Sequence, residues 1–366
     1  MAWKWLTTAI RLLRRKKSSS NHTPHLHIHN RETAMNTTTL TGLAALLLAL
    51  PLTAVSAIAA PAAPGGGAPQ SGFSAEATLG VAVISGADNL SPDLSSSTLG
   101  SLRQEAKTTT RVLPVLLPEL RYRFGDEGRS SWYLKTMPVT DAAGYFAPTS
   151  GLRHSLAGVA TIDAGLFFLP MAEVYANPYL VGERRRESDV LSWGGHLVFE
   201  DIAGTPLMVQ LAMLTADVDN DSLAGLFPSL SRDGEIYEVA IGYGLLRSQT
   251  MSLSPRLALR RGDMDGEASS YVKIRLELAG TYMAGPLFFL PSVHVGASRY
   301  DEKDPVFDST RRELAYGLNL LVKYRRLMDI DGLGLLAITA YGVGDANEDF
   351  FDSRALVCAL GLSYEF

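Results

Sequence analysis

The sequence predicts an all-β, antiparallel outer-membrane β-barrel of about fourteen strands, with twelve to sixteen compatible. Three observations predict it: a two-residue hydrophobic period repeated along most of the chain, connections that alternate short and long, and aromatic residues set at one matched height. The period is clearest where Val272, Ile274, Leu276 and Leu278 alternate with Lys273, Arg275, Glu277 and Ala279. It recurs where Leu314, Tyr316, Leu318, Leu320, Val322 and Tyr324 alternate with a face carrying Glu313, Asn319, Lys323 and Arg325. Charged faces of that kind do not fit the inside of a dry sandwich, because a buried charge is costly unless paired.

In chain order, strands are expected at 73–85, 112–124, 130–138, 152–162, 165–173, 189–201, 205–216, 235–247, 250–261, 268–282, 286–299, 311–325, 333–343 and 354–366. Most are long enough for a tilted transmembrane strand, which needs about 9–11 residues. Short turns are expected at 125–128, 203–205, 248–249 and 284–285, and long loops around 86–111, 139–151, 174–188, 217–234, 300–310 and 344–353. That asymmetry is the one between periplasmic turns and external loops. Phe73, Phe124, Trp132, Phe199, Tyr243, Tyr282, Phe288, Tyr324 and Phe366 form the expected aromatic girdle beside the short turns.

Composition narrows the rest. A mean hydropathy of +0.08 is too polar for a bundle of membrane helices, and a single cysteine excludes a disulfide framework or a CxxC redox site. The net charge of −5 averages two unlike regions. Residues 1–59 hold seven Lys or Arg and one acidic residue, and the remainder holds 26 basic against 37 acidic residues. The acidic remainder argues against nucleic acid as a partner.

Residues 35–59 read as a secretory signal peptide: a polar start, a Leu/Ala-rich centre, and Ala57 and Ala59 spaced for signal peptidase. Residues 1–34, with a basic run and four histidines, are expected to be lost with it, and translation could equally begin at Met35 instead of Met1. Residues 60–72 read as a flexible linker and 73–366 as the barrel. At the carboxyl end, Leu362, Tyr364 and Phe366 resemble the signal read by the barrel assembly machinery.

A family resemblance rests on Asn177-Pro178-Tyr179-Leu180-Val181-Gly182, followed by Arg185, Arg186, Asp189 and Val190. It continues through Arg232-Asp233, Asp263, Asp265-Gly266, Arg299-Tyr300-Asp301, Pro305-Val306-Phe307, Tyr316-Gly317, Tyr341-Gly342 and Phe351-Asp352. In order and spacing these resemble a Gram-negative outer-membrane family of unknown function, domain of unknown function 2860. The resemblance implies a barrel in the outer membrane and no assigned activity.

Alternation directs Glu119, Arg121, Arg123, His196, Glu238, Arg256, Arg260, Lys273, Arg275, Glu277, His294, Glu313, Lys323 and Arg325 into the lumen. Two readings follow. One is a passive channel whose mixed charges set preference among small polar solutes. The other is a structural or interaction barrel whose opposite charges lock together and occlude it. A hydrolase built on His294 or His196 lacks any nucleophile motif, so no catalytic residue, cofactor or metal is expected. The acidic loops, such as Asp217, Asp219 and Asp221, read either as a repulsive rim or as loose divalent-ion ligands bridging to lipopolysaccharide. Arg184, Arg185 and Arg186 read as a basic loop patch for lipopolysaccharide phosphates.

Overall fold

The computed structural model describes residues 71–138 and 146–366. The upstream segment, Ala57 and Ala59 lie outside these residues. Fourteen strands follow one another: β1 Gly72–Asp88, β2 Thr109–Phe124, β3 Ser130–Pro138, β4 Phe146–Leu156, β5 Ala160–Tyr175, β6 Glu187–Glu200 and β7 Leu207–Val218. The second half is β8 Gly234–Tyr243, β9 Met251–Met264, β10 Tyr271–Ala284, β11 Leu287–Tyr300, β12 Arg312–Arg325, β13 Leu333–Ala346 and β14 Ser353–Glu365. Each pairs antiparallel with its chain neighbours, and β14 pairs with β1 from Glu365↔Glu76 to Ser353↔Asp88, so the sheet closes. Closure removes the sheet edges, and only closed barrels and helices satisfy backbone polar groups across a bilayer.

The alternation expected from sequence is the one observed. Leu79, Val81, Val239, Ile241, Leu257, Leu259, Val272, Ile274, Leu276, Val293, Val295, Leu314, Leu318, Leu360 and Leu362 are exposed on the outer surface, while their strand neighbours are covered. Phe73, Tyr122, Phe124, Tyr243, Tyr282, Tyr364 and Phe366 are exposed toward the short-turn end, with Tyr122 and Phe124 stacked at 6.0 Å and Tyr364 edge-on to Phe366 at 4.7 Å. An apolar outer belt on a closed barrel with a polar interior is the arrangement that lipid requires.

Two local expectations are corrected. The fourth and fifth strands are not 152–162 and 165–173; the chain turns at Ala157-Gly158-Val159, where Gly158 takes φ +73. Thr161 then pairs with Ser155 and Asp163 with Arg153. The apolar residues on both sides of Gly158 mask the turn, and only a left-handed glycine permits it. Phe288 is not in the girdle. It is buried on the inner face with the Arg325 guanidinium 5.6 Å from its ring, and Phe289 takes the outer place beside Tyr282.

A two-residue segment, Leu246–Arg247, continues β8 along β9 after Gly244-Leu245, with the register slipped by one residue. In β5 the register with β6 also shifts between Leu169 and Ala172. Bulges of this kind bend a wall locally.

Candidate functional site

The inward faces build three tiers. Nearest the short turns, Lys323 Nζ meets Glu76 Oε1 at 2.5 Å, reaching from β12 across β13 and β14 to β1. Arg121 donates to Glu119 at 3.0 Å, Arg153 pairs with Glu200, and Arg123 and Arg325 follow on the same faces.

The middle tier is buried and ionic. Glu238 on β8 accepts from Arg256 at 2.6 Å through one oxygen and from Arg260 at 2.5 Å through the other. Arg256 also faces Glu277 at 3.6 Å and Gln210 at 3.4 Å. Arg275 and Glu277 lie beside them on β10, both buried. Guanidiniums shared over one carboxylate fix geometry as well as charge, because the planar fork of arginine allows few orientations. His294 is buried one strand further on, packed so closely over Gly317 that any β-carbon there would stand 2.6 Å from the ring.

Across the lumen, Tyr133 donates to Asp163 at 2.5 Å, and His196 Nε2 stands 3.2 Å from both the Tyr133 hydroxyl and the Asp163 carboxylate. Arg153 adds a contact to Asp163 at 3.6 Å. Gly151 and Gly165 make room for this cluster, since a β-carbon on either would strike the Tyr133 hydroxyl or the His196 ring. Sequence reasoning placed His196 here but missed Asp163 and Tyr133. A turn expected at 163–164 takes Asp163 off the strand; the turn at Gly158 puts it on β5 opposite Arg153.

The third tier is a cavity of about 390 Å³ in the outer half. Its two sides differ in chemistry. Leu169, Ala172, Val190, Leu214, Ile236 and Met264 line one, and Arg260, Lys273, Tyr271, Tyr300, Arg311 and Glu313 line the other. Arg311 pairs with Glu313 at 2.9 Å.

The loops at this end fold over the cavity, while Asp217, Asp219, Asp301 and Glu302 stay exposed on their surface. Tyr179, Phe307, Phe350 and Phe351, from three different loops, pack with centroids 5.1–6.4 Å apart around the buried Leu99. Edge-on aromatic pairs add about 0.5–1.5 kcal/mol each beyond the area they bury. Tyr179 donates to Asp304 at 2.8 Å, and burial pushes its hydroxyl well above the usual range, so it remains a donor. Arg185 is 2% exposed: it donates to the carbonyls of Asn89 (2.7 Å), Pro178 (3.2 Å) and Ser96, and to Ser95 Oγ (3.0 Å), while its guanidinium lies 3.8 Å from the Tyr175 ring centre. Arg185 is therefore no part of a surface patch; only Arg184 and Arg186 stay exposed there. Many of the segments that carry the family resemblance meet in this cap. Asp221 is likewise used internally, binding Arg232 at 2.7 Å and capping the short helix α1, Ser222–Leu226. Among the described residues no group of three or more His, Cys, Asp or Glu side chains is arranged to hold a metal ion.

Three cap carboxyls respond to burial. Desolvation pushes Asp93, Asp233 and Asp352 above the usual carboxylate value of 3.8, opposed at Asp93 by Arg111 and at the other two by the backbone N–H of Val218 and of Ala346, and reinforced at those two by neighbouring acidic residues. The packed cap thus binds protons more tightly than the opened one, so its stability rises as pH falls through this raised range and is lost as pH rises. A nitroxide on Lys107→Cys, in a Cys358→Ser background, is expected to become less mobile between pH 7.5 and pH 4.5. A label that is unchanged, or freer in acid, contradicts this.

The fold is similar to several solved outer-membrane proteins. The outer-membrane channel DcaP of Acinetobacter baumannii superposes with TM-score 0.39 at 11% identity, over 81% of this chain and 98% of that one. The anion-selective porin from Comamonas acidovorans gives 0.38 at 10%, over 81% and 100%. OmpT of Vibrio cholerae with loop L8 deleted gives 0.38 at 10%, over 81% and 100%. No curated protein sequence matches the chain. The family described as "Protein of unknown function (DUF2860)" matches residues 72–365, the whole described barrel, and the chain belongs to that family.

Proposed function

We propose that this protein is a narrow, passive channel for small polar solutes in the outer membrane of a Gram-negative bacterium, with no catalytic role. The observation that carries this reading is the cavity of about 390 Å³ above an ionic belt, because charged walls in a confined lumen sort solutes by charge and size. The leader at 35–59 would export the chain, Leu362, Tyr364 and Phe366 would present the last strand to the assembly machinery, and lipid with lipopolysaccharide would surround the belt. Glu119, Arg121, Arg123, Lys273, Glu313, Lys323 and Arg325 would line the pathway, and His196, Glu238, Arg256, Arg260, Arg275, Glu277 and His294 would narrow it.

Planar-bilayer recording of the purified protein is expected to give small, discrete conductance steps. The packed cap favours a second reading, an occluded barrel that serves structure or interaction. Silence at every voltage, in protein shown to be folded, would select that second reading.

A further inference from the structure

One row of side chains crosses the outside of the wall at the outer ends of β9, β10, β11 and β12. The register runs Arg261↔Val272, Val272↔Arg299 and Arg299↔Arg312, so these residues lie side by side on consecutive strands. Each continues the alternation of exposed belt residues and so faces outward: Leu257 and Leu259 lead to Arg261, Val293 and Val295 to Arg299, and Leu318 and Leu314 to Arg312. Arg299 stands ten residues beyond Phe289, the aromatic beside Tyr282 near the short turns. At about 3.4 Å per residue and a tilt of about 40°, that is roughly 25 Å, the height of the apolar band. The row therefore sits where the outer leaflet passes from hydrocarbon to headgroup.

The three arginines of this row are not alike. Arg261 donates through two nitrogens to Asp301, at 2.8 and 2.6 Å, and faces Asp263 at 3.6 Å. That pairing engages Asp301, the acidic residue two positions beyond Arg299. Arg299 and Arg312 themselves meet no carboxylate among the described residues. Glu313 is turned inward and pairs with Arg311 at 2.9 Å. Asp345, opposite Leu314, is the nearest outward carboxylate in the register, one outward pair closer to the belt, and it forms no ion pair with either arginine.

The two are also at closest approach. The Tyr300 N–H donates to the Arg311 carbonyl at 3.0 Å, so Tyr300 and Arg311 form a hydrogen-bonded pair and Arg299 and Arg312 the next, non-hydrogen-bonded one. In such a pair the Cα atoms stand about 4.5 Å apart and the side chains are nearest. Like charges directly opposite each other on a sheet repel and cost stability. Beside hydrocarbon, water screens them less than on an open surface. An anion held between them reverses the sign, because guanidinium forks match a phosphate bidentately. The ground beneath is apolar: Val272 lies in the row, and Ile274 and Leu314, both exposed, lie just below it.

We propose that Arg299 and Arg312 together bind a phosphate of a phosphorylated glycolipid in the outer leaflet, with Val272, Ile274 and Leu314 beneath its acyl chains. Two features select a lipid over soluble phosphate. The pair faces away from the lumen, and the apolar belt begins immediately below it. The site lies on the outside of the wall, so it does not depend on what the lumen conducts. It is also separate from Arg184 and Arg186, which are carried by an external loop.

The test titrates the purified protein, stripped of glycolipid in detergent, with fluorescently labelled diphosphorylated lipid A. Arg299→Gln with Arg312→Gln is expected to weaken binding about tenfold or more, because charge-assisted bonds to the phosphate are lost. Arg184→Gln with Arg186→Gln should leave the affinity unchanged. Wild-type affinity in the Arg299→Gln, Arg312→Gln protein would overturn the site, and so would equal binding of dephosphorylated lipid A by the wild type. Displacement of bound lipid A by millimolar inorganic phosphate would make this a free-anion site and overturn the lipid assignment. Should the double variant lose the heat-modifiable migration of a folded barrel, Arg299→Lys with Arg312→Lys carries the same comparison. It keeps both charges without the fork, so a smaller weakening is expected, and full affinity would overturn the shared phosphate. The repulsion supplies a second readout. Arg312→Gln is expected to raise the midpoint of urea unfolding without lipid A and to lower it, relative to wild type, with saturating lipid A. A shift of the same sign in both conditions would contradict an anion bridging the pair.

Discussion

Arg185→Ala is expected to open the outer mouth while leaving the barrel wall intact. Conductance should rise several-fold, and protease should cut the loop at 89–108, with heat-modifiable migration of the barrel unchanged. The reason lies in what Arg185 holds. Its guanidinium ties carbonyls and a hydroxyl at Asn89, Ser95 and Ser96 in the first loop to Pro178 in its own loop, and it covers Tyr175. A hydrogen bond to a charged group is worth about 1.5–3 kcal/mol, so losing several costs on the order of 3–5 kcal/mol of cap stability even though they are not additive. The wall does not share that loss, because its strands are held by their own ladders. Arg185→Lys keeps the charge without the planar fork and should fall between. Wild-type conductance and protease resistance in Arg185→Ala would show that the aromatic cluster closes the cap by itself.

Glu238→Gln is the second large effect. This change keeps shape but removes the carboxylate shared by Arg256 and Arg260, all three being buried. Removing one partner from a buried ionic group costs about 3–5 kcal/mol. The midpoint of urea unfolding in detergent should fall accordingly. The added positive charge in the belt should also shift the reversal potential in a salt gradient toward anions. A triple change of Glu238, Arg256 and Arg260 to Leu, Met and Met should recover much of the stability but not the selectivity, since well-packed apolar groups often replace a buried ionic triad without loss. Unchanged selectivity in Glu238→Gln would take the belt out of the conducting path.

The positions most legible in the sequence were those fixed by short-range pattern. Val272 to Ala279 alternates so cleanly that the inward placement of Lys273, Arg275 and Glu277 needs no other information. Where local signals conflict, the reading fails for a stated cause. Gly158 sits among residues that all suit a strand, so the sequence pattern puts the turn at 163–164, on Asp163 itself, and hides its inward place. Arg185 reads as one of three surface arginines, since sequence cannot tell which of Arg184, Arg185 and Arg186 is turned inward.

The sequence by itself determined the period-two faces, the crossings and the asymmetry of turns and loops, and hence which side chains meet lipid. These depend on interactions between residues a few positions apart, which local chemistry dictates. Only the tertiary structure decided what those faces meet: Lys323 against Glu76, 247 positions away, and Asn89 against Phe350, 261 away. Closing a barrel brings such residues together by geometry, and the radius, tilt and register that set their meeting belong to the whole ring and to no single strand.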